Sequence, residues 1–371
     1  MPIINISKLE NNTNLNTDIC IIGAGMSGQI VASKIKNKKV TLIDSGEVDF
    51  NSSIQKLNDI DNIGLKLRAN KLNRIRQLGG SANLWANQLM ILNANEIGKR
   101  EWLDKNLEWP IEYDELKKNY AEIIGEIFNK SFGNFDTFNF YQIKKYYSEL
   151  ENEFESQKEL SFKNHFWPSK MEKFNINSRF TKKLISNKNI NLITNLTATN
   201  MAIDQESEMI NEILFQSNKK EIKVKSKFFI LCCGAIENAK IILNNSINYN
   251  ILKNSNTGKY YMDHPRVTLG TLISKNKFSL SSLFGIKSKK LDIRNTLRPS
   301  DAFQIKNNIL SCHAYLDPYF GDESEKEFDE ILQQIKKIVK LKGFPKLNLL
   351  KLNIKKILEQ FYFNLPPQIS N

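Results

Sequence analysis

Two short apolar runs stand out near the start of the chain, Ile19-Cys20-Ile21-Ile22, which runs into a glycine, and Val40-Thr41-Leu42-Ile43. Runs of this length and texture suit strands buried on both faces of a parallel sheet. A helical stretch from about Met26 to Lys36 lies between them, so the three elements predict a βαβ unit. Further on, the pattern predicts a helix over 113–127 and strands at 191–193 and 227–233. The last strand ends at Gly234 and leads into a helix reaching Leu243. Beyond Pro265 the texture changes to strands at 267–273 and 309–315. From Phe328 to Phe363 it is mainly helical, interrupted at Gly343 and Pro345. Strands alternating with helices predict an α/β fold, with a second, sheet-containing region after the first domain.

Composition narrows this picture only a little. The chain has 371 residues, 41% hydrophobic and 25% charged, enough for one large domain or two ordinary ones. It is rich in Asn, Lys and Ile throughout, so a single Asn or Lys carries little information. Lysine and arginine outnumber acidic residues 53 to 40, for a net charge of +13. Much of that excess is local, because residues 336–356 hold eight lysines and no acid. Two readings stand for that stretch: the solvated basic face of an amphipathic helix, or peripheral contact with a membrane surface. No motif or aromatic platform supports nucleic-acid binding.

The four cysteines, Cys20, Cys232, Cys233 and Cys312, have neither zinc nor disulfide-framework spacing. Residues 1–17 are polar and lack the pattern of a signal peptide. No apolar run approaches the ~20 residues of a spanning helix. A cytoplasmic location is therefore the expectation.

The first strand runs directly into Gly23-Ala24-Gly25-Met26-Ser27-Gly28, a G-x-G-x-x-G that opens the predicted helix. Gly23 permits the tight turn, Gly25 lets backbone approach a pyrophosphate, and Gly28 allows close packing of helix on strand. The helix start then offers free N–H groups and a positive dipole end to phosphate. Asp44, with Ser45 after it, closes the second strand, where a carboxylate can accept hydrogen bonds from ribose hydroxyls. No arginine follows Asp44 closely, which argues against a 2′-phosphate. This spacing predicts adenine-dinucleotide binding but does not choose between NAD and FAD.

The choice comes from several later segments. Leu78-Gly79-Gly80-Ser81 followed by Trp85 resembles the Gly-Gly-Ser loop of the glucose-methanol-choline (GMC) oxidoreductases. Glu108-Trp109-Pro110-Ile111 resembles that family's Trp-Pro-Ile segment. Phe229 to Asn238, with Gly234 at its turn, resembles the strand that returns to the cofactor domain. Gly258-Lys259-Tyr260-Tyr261-Met262-Asp263-His264-Pro265 resembles the family's stretch of a glycine followed by Met-x-His-Pro. The matches keep the family's order over residues 18–265.

The resemblance implies a Rossmann-like FAD-binding domain from residues 1–90 and 178–265, with a substrate region from 91–177 and 266–371. It implies that the Gly79–Ser81 loop lies along the flavin and that the backbone near Ala198 lies by the adenine. No histidine occurs in that loop, so the FAD is expected to be held non-covalently. The implied reaction is hydride transfer to flavin from the CH–OH group of a sugar, polyol or other alcohol.

The family's base is a histidine in a C-terminal segment that cannot be placed in this sequence, so no catalytic residue is assigned. The expectation is a C-terminally truncated chain that by itself holds FAD poorly and turns over little or nothing. His264 reads as a turn-bracing residue at a domain junction. His165 and His313 carry no recognisable catalytic pattern. Cys232 and Cys233 read as packing residues in an apolar strand. Rival readings are another flavoprotein class (monooxygenase or amine oxidase), or a non-catalytic flavin-binding remnant.

Overall fold

The structure is a computed structural model, and it describes residues 3–6, 9–64, 74–85, 89–103, 108–128, 159–168, 174–217, 220–265, 267–271, 285–287 and 291–314. The chain forms two compact units: Met1–Gln88, Asn119–Phe132 and Lys170–Leu272 make unit 1; Leu89–Lys118, Gly133–Ser169 and Ile273–Asn371 make unit 2. Among the described residues the strands are β1 (Ile4–Asn5), β2 (Thr13–Ile22), β3 (Val40–Ile43), β4 (Leu160–Pro168), β5 (Ile190–Thr194), β6 (Thr197–Ile203), β7 (Ile210–Ser217), β8 (Lys220–Leu231), β9 (Gly285–Lys287) and β10 (Leu291–Pro299).

Unit 1 is built on one sheet of order β1-β5-β3-β2-β8-β7-β6. The pairs β1–β5, β5–β3, β3–β2 and β2–β8 are parallel; β8–β7 and β7–β6 are antiparallel. The chain leaves β2 toward β3 on one side, whereas β8 returns on the other. The order therefore reverses at β2, and in doubly wound sheets ligands bind at the carboxyl ends of strands beside such a reversal. The fold is α/β and Rossmann-like, as the sequence predicts.

Alternation along the parallel strands loads both faces of this sheet. Ile21, Val40, Leu42 and Leu192 pack with Ala32 and Leu184 of the helices Met26–Lys34 and Arg179–Ile185. Cys20, Ile22, Ile43 and Ile193 point the other way, toward Met201, Ile213 and Phe215 of the β6–β7 meander and Ile241 of the helix Ala235–Ser246. All four residues of β3 are buried, which is why its run carries no polar alternation. Burying a side chain such as Leu42 stabilises the fold by about 2 kcal/mol.

The helix Tyr113–Phe128 contributes to unit 1 from Asn119 onward. Lys34 Nζ reaches Glu122 and Glu126 at 2.6 and 2.7 Å. Arg179 Nη2 donates to the Glu126 carbonyl at 2.7 Å, satisfying one of the open carbonyls at that helix end.

Unit 2 holds a three-stranded antiparallel sheet, β4-β10-β9. β10 pairs with β4 from Leu291↔Pro168 to Pro299↔Leu160. The helix Asp301–Asn307 follows at once, N-capped by Ser300, whose Oγ accepts from the Phe303 N–H at 3.2 Å.

Several sequence expectations change here. Strand β2 begins six residues before Ile19, and β8 begins seven before Lys227, because both extend past the apolar core into the meander. The strand expected at 267–273 does not form over 267–271, where the backbone is irregular. That expected at 309–315 is reduced to one bridge, Leu297↔Ala314. The expected helical region 328–363, with its basic stretch 336–356, lies outside the described residues. Among the described residues no helix is long and apolar enough to cross a membrane.

Candidate functional site

The carboxyl ends of β2, β3 and β8 bring the predicted turn residues together. Gly23 has φ 101°, and its N–H donates to the Ile43 carbonyl at 2.7 Å. A Cβ there would meet the Cys232 carbonyl oxygen at 2.6 Å, so the turn needs glycine for both its dihedral and its space. Gly28 is tighter still: a Cβ would lie 1.9 Å from the Gly23 carbonyl oxygen. Gly25 caps the helix Met26–Lys34 with no side-chain hydrogen bond, leaving the first-turn N–H groups to other partners. Ser27 is exposed beside it, and Met26 is half-buried.

The Gly79–Gly80 loop lies directly on this turn. The Gly79 N–H donates to the Ala24 carbonyl at 3.0 Å, and Gly25 and Gly79 form a parallel bridge. A Cβ on Gly80 would come within 3.2 Å of the Gly25 Cα. Farther along the same approach, the Leu78 N–H donates to the Glu47 carbonyl at 2.9 Å. Gly79 and Gly80 have φ of 95° and 55°, which bends the loop into the short helix Gly80–Asn83. Ser81 is exposed, and Trp85 is half-buried just beyond.

Asp44 is turned into the protein. Its Oδ2 accepts the Ala24 N–H at 2.6 Å and its Oδ1 the Gly46 N–H at 2.7 Å. The side chain that the sequence assigns to ribose hydroxyls thus also braces the glycine turn. Burial raises its pKa above the usual carboxylate value, opposed by the two N–H donors and by the charge of Arg76. Ala198 lies near the start of β6, two residues after Leu196, whose N–H donates to the Asp44 carbonyl at 3.0 Å. Gly234, at φ 84° and with open space where a Cβ would stand, caps the helix Ala235–Ser246.

Two groups essential to this arrangement escape sequence reasoning. Gln29 is fully buried; its Nε2 donates to the carbonyls of Ala24 and Phe174 at 3.0 and 2.7 Å, and its Oε1 lies 2.7 Å from Thr181 Oγ1. Arg76, three residues before Gly79, reaches Ser45 Oγ with Nη1 at 2.8 Å and Asn58 Oδ1 with Nε at 2.8 Å. Its Nη2 meets Glu237 Oε2 at 2.5 Å, while Arg74 Nη1 meets Glu237 Oε1 at 3.0 Å. The arginine missing after Asp44 in sequence is therefore supplied in space, with its charge met by Glu237. A faint signal existed: two arginines, two positions apart before the glycines, in a chain that otherwise prefers lysine.

Of the three histidines, His264 belongs to unit 1, whereas His165 and His313 belong to unit 2. His264 is exposed, and its backbone N–H donates to the side chain of neighbouring Asp263 at 2.8 Å. His313 Nδ1 lies 3.1 Å from Thr296 Oγ1 in unit 2. His165 sits on β4 opposite Arg294. Cys20 and Cys233 are pushed up to about 12 by burial, and among the described residues no group of His, Cys, Asp and Glu could hold a metal ion. A cavity of about 480 Å³ lined by Ser33, Glu126, Arg179 and Asn187 opens at the opposite ends of the strands from the glycine turn.

No family model matches the chain, and no curated protein matches it. Among solved structures it is similar to a pyridoxine 4-oxidase from Mesorbium loti, with 16% identity and a TM-score of 0.38 over 62% of this chain and 52% of that one. It is also similar to a formate oxidase, with 14% identity and a TM-score of 0.36 over 64% of this chain and 48% of that one. A variant of the Aspergillus oryzae formate oxidase, studied for FAD modification, gives 15% identity and a TM-score of 0.36 over the same shares. The chain spans about half the length of these proteins. The fold assignment rests on the sheet order itself.

Proposed function

We propose that this chain binds FAD non-covalently and belongs to an FAD-dependent oxidoreductase of the GMC type, acting on the CH–OH group of a sugar, polyol or other alcohol. The observation that carries the reading is the seating of Gly79 and Gly80 on the Ala24–Gly25 turn. Two glycine backbones in contact there make a wall without side chains, which suits close approach of a pyrophosphate and a planar ring. The Trp109-Pro110-Ile111 and His264-Pro265 segments, which follow in the family's order along the sequence, favour this class over a monooxygenase or amine oxidase.

The residues fit the cofactor on structural grounds. The helix start at Gly25 lacks a side-chain cap, and the space beside Gly234 is open. FAD when bound supplies the hydride acceptor. Gly25, Met26 and Ser27 would present backbone N–H groups to its phosphates, and Gly79, Gly80, Ser81 and Trp85 would border it. Asp44 and Ser45 stand where the ribose is expected, and Ala198 where the adenine is. Each Asp44 oxygen already accepts one N–H and retains a second lone pair for a ribose hydroxyl. Gln29 and Arg76 hold the turn and the loop in place. In this reading residues 1–90 and 178–265 hold the cofactor, and the remainder faces the substrate.

The test is the visible spectrum of the purified chain, followed by addition of alcohols with an artificial electron acceptor. Bound flavin that bleaches with an alcohol supports the whole proposal. Bound flavin that no alcohol bleaches keeps the binding and removes the reaction from this chain by itself. No flavin, even after incubation with FAD, removes both.

A further inference from the structure

The cavity of about 480 Å³ at the far ends of the strands is formed wholly by unit 1 and takes no part in the flavin reading. Three helices border it. Met26–Lys34 contributes Ser33, Tyr113–Phe128 contributes Glu122, Gly125 and Glu126, and Arg179–Ile185 contributes Arg179 and Lys183. Its size falls in the range of pockets that take small organic ligands, roughly 300–1,000 Å³. Buried Phe180, Leu184 and Ile190 give it an apolar base. The space is reached from solvent, because the lining residues Arg179, Lys183 and Asn187 are exposed.

The charges around this space are unevenly answered. Glu122 and Glu126 share Lys34, whose Nζ stands 2.6 and 2.7 Å from them. Arg179 and Lys183 lie four residues apart on one helix, so their side chains share a face. Among the described residues neither of these cations meets a carboxylate. The Arg179 Nη2 donates to backbone carbonyls, those of Glu126 at 2.7 Å and Ile127 at 3.5 Å. Its Nε and Nη1 and the Lys183 Nζ remain available. Like charges at this spacing repel, and on a flat surface water would screen them. Here both border one concave space with an apolar base, where an anion placed between them relieves the repulsion and gains charge-assisted hydrogen bonds.

We infer that this cavity binds a small organic oxyanion, with a carboxylate or phosphate group held between Arg179 and Lys183 and the carbon body over Phe180, Leu184 and Ile190. Arg179 offers the planar fork that matches an oxyanion, and Lys183 a mobile point charge. The Asn187 Oδ1 accepts the Asn189 N–H at 3.0 Å, which leaves its Nδ2 to donate at the rim. Glu122 and Glu126, already engaged by Lys34, repel the anionic end and so fix the ligand's direction.

The test uses the full chain and isothermal titration calorimetry with sodium phosphate and, separately, sodium benzoate, each against sodium chloride at matched ionic strength. Saturable binding of at least one oxyanion, and none of chloride, is the expected result. Benzoate binding identifies a carboxylate with an apolar body, and phosphate binding a phosphate group. Lys183→Gln removes one exposed charge and weakens binding about tenfold, ~1.4 kcal/mol, near the low end for a hydrogen bond to a charged group. Without ligand that variant melts no lower than wild type, because a like-charge pair is gone. Arg179→Gln weakens binding as well, and melting curves of both variants report whether the chain is intact. Saturating FAD leaves the binding in place, which separates this cavity from phosphate held at the glycine turn. The inference is overturned if neither oxyanion binds the wild-type chain, if FAD displaces it fully, or if an intact Lys183→Gln variant binds as tightly as wild type.

Discussion

Asp44 and Ala24 are locked across the glycine turn: the Asp44 Oδ2 accepts the Ala24 N–H at 2.6 Å, and the Ala24 carbonyl in turn accepts the Gly79 N–H at 3.0 Å. One residue thereby joins the end of β3, the turn after β2 and the second glycine loop. Asp44→Asn keeps the shape but offers one acceptor oxygen for two N–H donors. At pH 5 it should lower stability by about 1–3 kcal/mol in urea unfolding.

The same carboxyl sets a pH dependence. Burial raises its folded pKa above the unfolded value of ~3.9. Its contribution to stability is therefore full below that value and is lost as the pH rises through the folded pKa. The stability gap between wild type and Asp44→Asn should narrow from about pH 4 toward neutrality. A gap that widens over that range in paired urea titrations contradicts a burial-dominated Asp44.

Gly28 and Gly25 separate folding from binding. A Gly28→Ala methyl would stand 1.9 Å from a backbone oxygen and should cost about 3 kcal/mol or more, as overpacking against atoms that cannot yield does. A Gly25→Ala methyl has only ordinary contacts, 4.0 Å from Gly79 O and Gly80 Cα. That variant should melt close to wild type yet lose flavin. Circular dichroism melts beside flavin absorbance check both halves.

Glu237 serves two arginines at once. Glu237→Gln leaves Arg74 and Arg76 buried together without their acid, with side chains 14% and 10% exposed. It should destabilise the chain by about 2–4 kcal/mol, with little dependence on salt because the pairs are shielded from solvent ions. A variant that melts within a degree of wild type shows the network to be unimportant.

Thiol labelling should follow burial. Cys312 is exposed and should react first with a thiol reagent at pH 8. Cys20 and Cys233, pushed up to about 12, hold almost no thiolate there and should react only on unfolding. Rapid labelling of Cys233 in the native chain, read by mass spectrometry, contradicts its packing role.

The sequence made the parallel core legible because the end of β2 (Ile19–Ile22), β3 and the Leu192-Ile193 pair of β5 are short, mainly apolar stretches with glycine or polar boundaries. It left the meander obscure for an equally physical reason. β6 reads Thr-Ala-Thr-Asn before its first buried residue, Met201, and β8 alternates Ile222 and Val224 with lysines in a chain where lysine is everywhere. At the site, the glycines were legible since each answers a local steric need. Gln29 and Arg76 were not, since their partners, Phe174, Thr181, Asn58 and Glu237, lie far away in the chain. Asp44 was legible as a position but not as a direction, because no spacing rule reveals which N–H groups surround a carboxylate.

The most direct measurement is an FAD titration of the purified chain and of its Gly25→Ala variant, followed by quenching of flavin fluorescence. The account predicts saturation near one FAD per wild-type chain and at least about tenfold weaker binding, worth ~1.4 kcal/mol, in a variant that melts like wild type. Failure of the wild-type chain to bind FAD, or equal binding by the two, would contradict it.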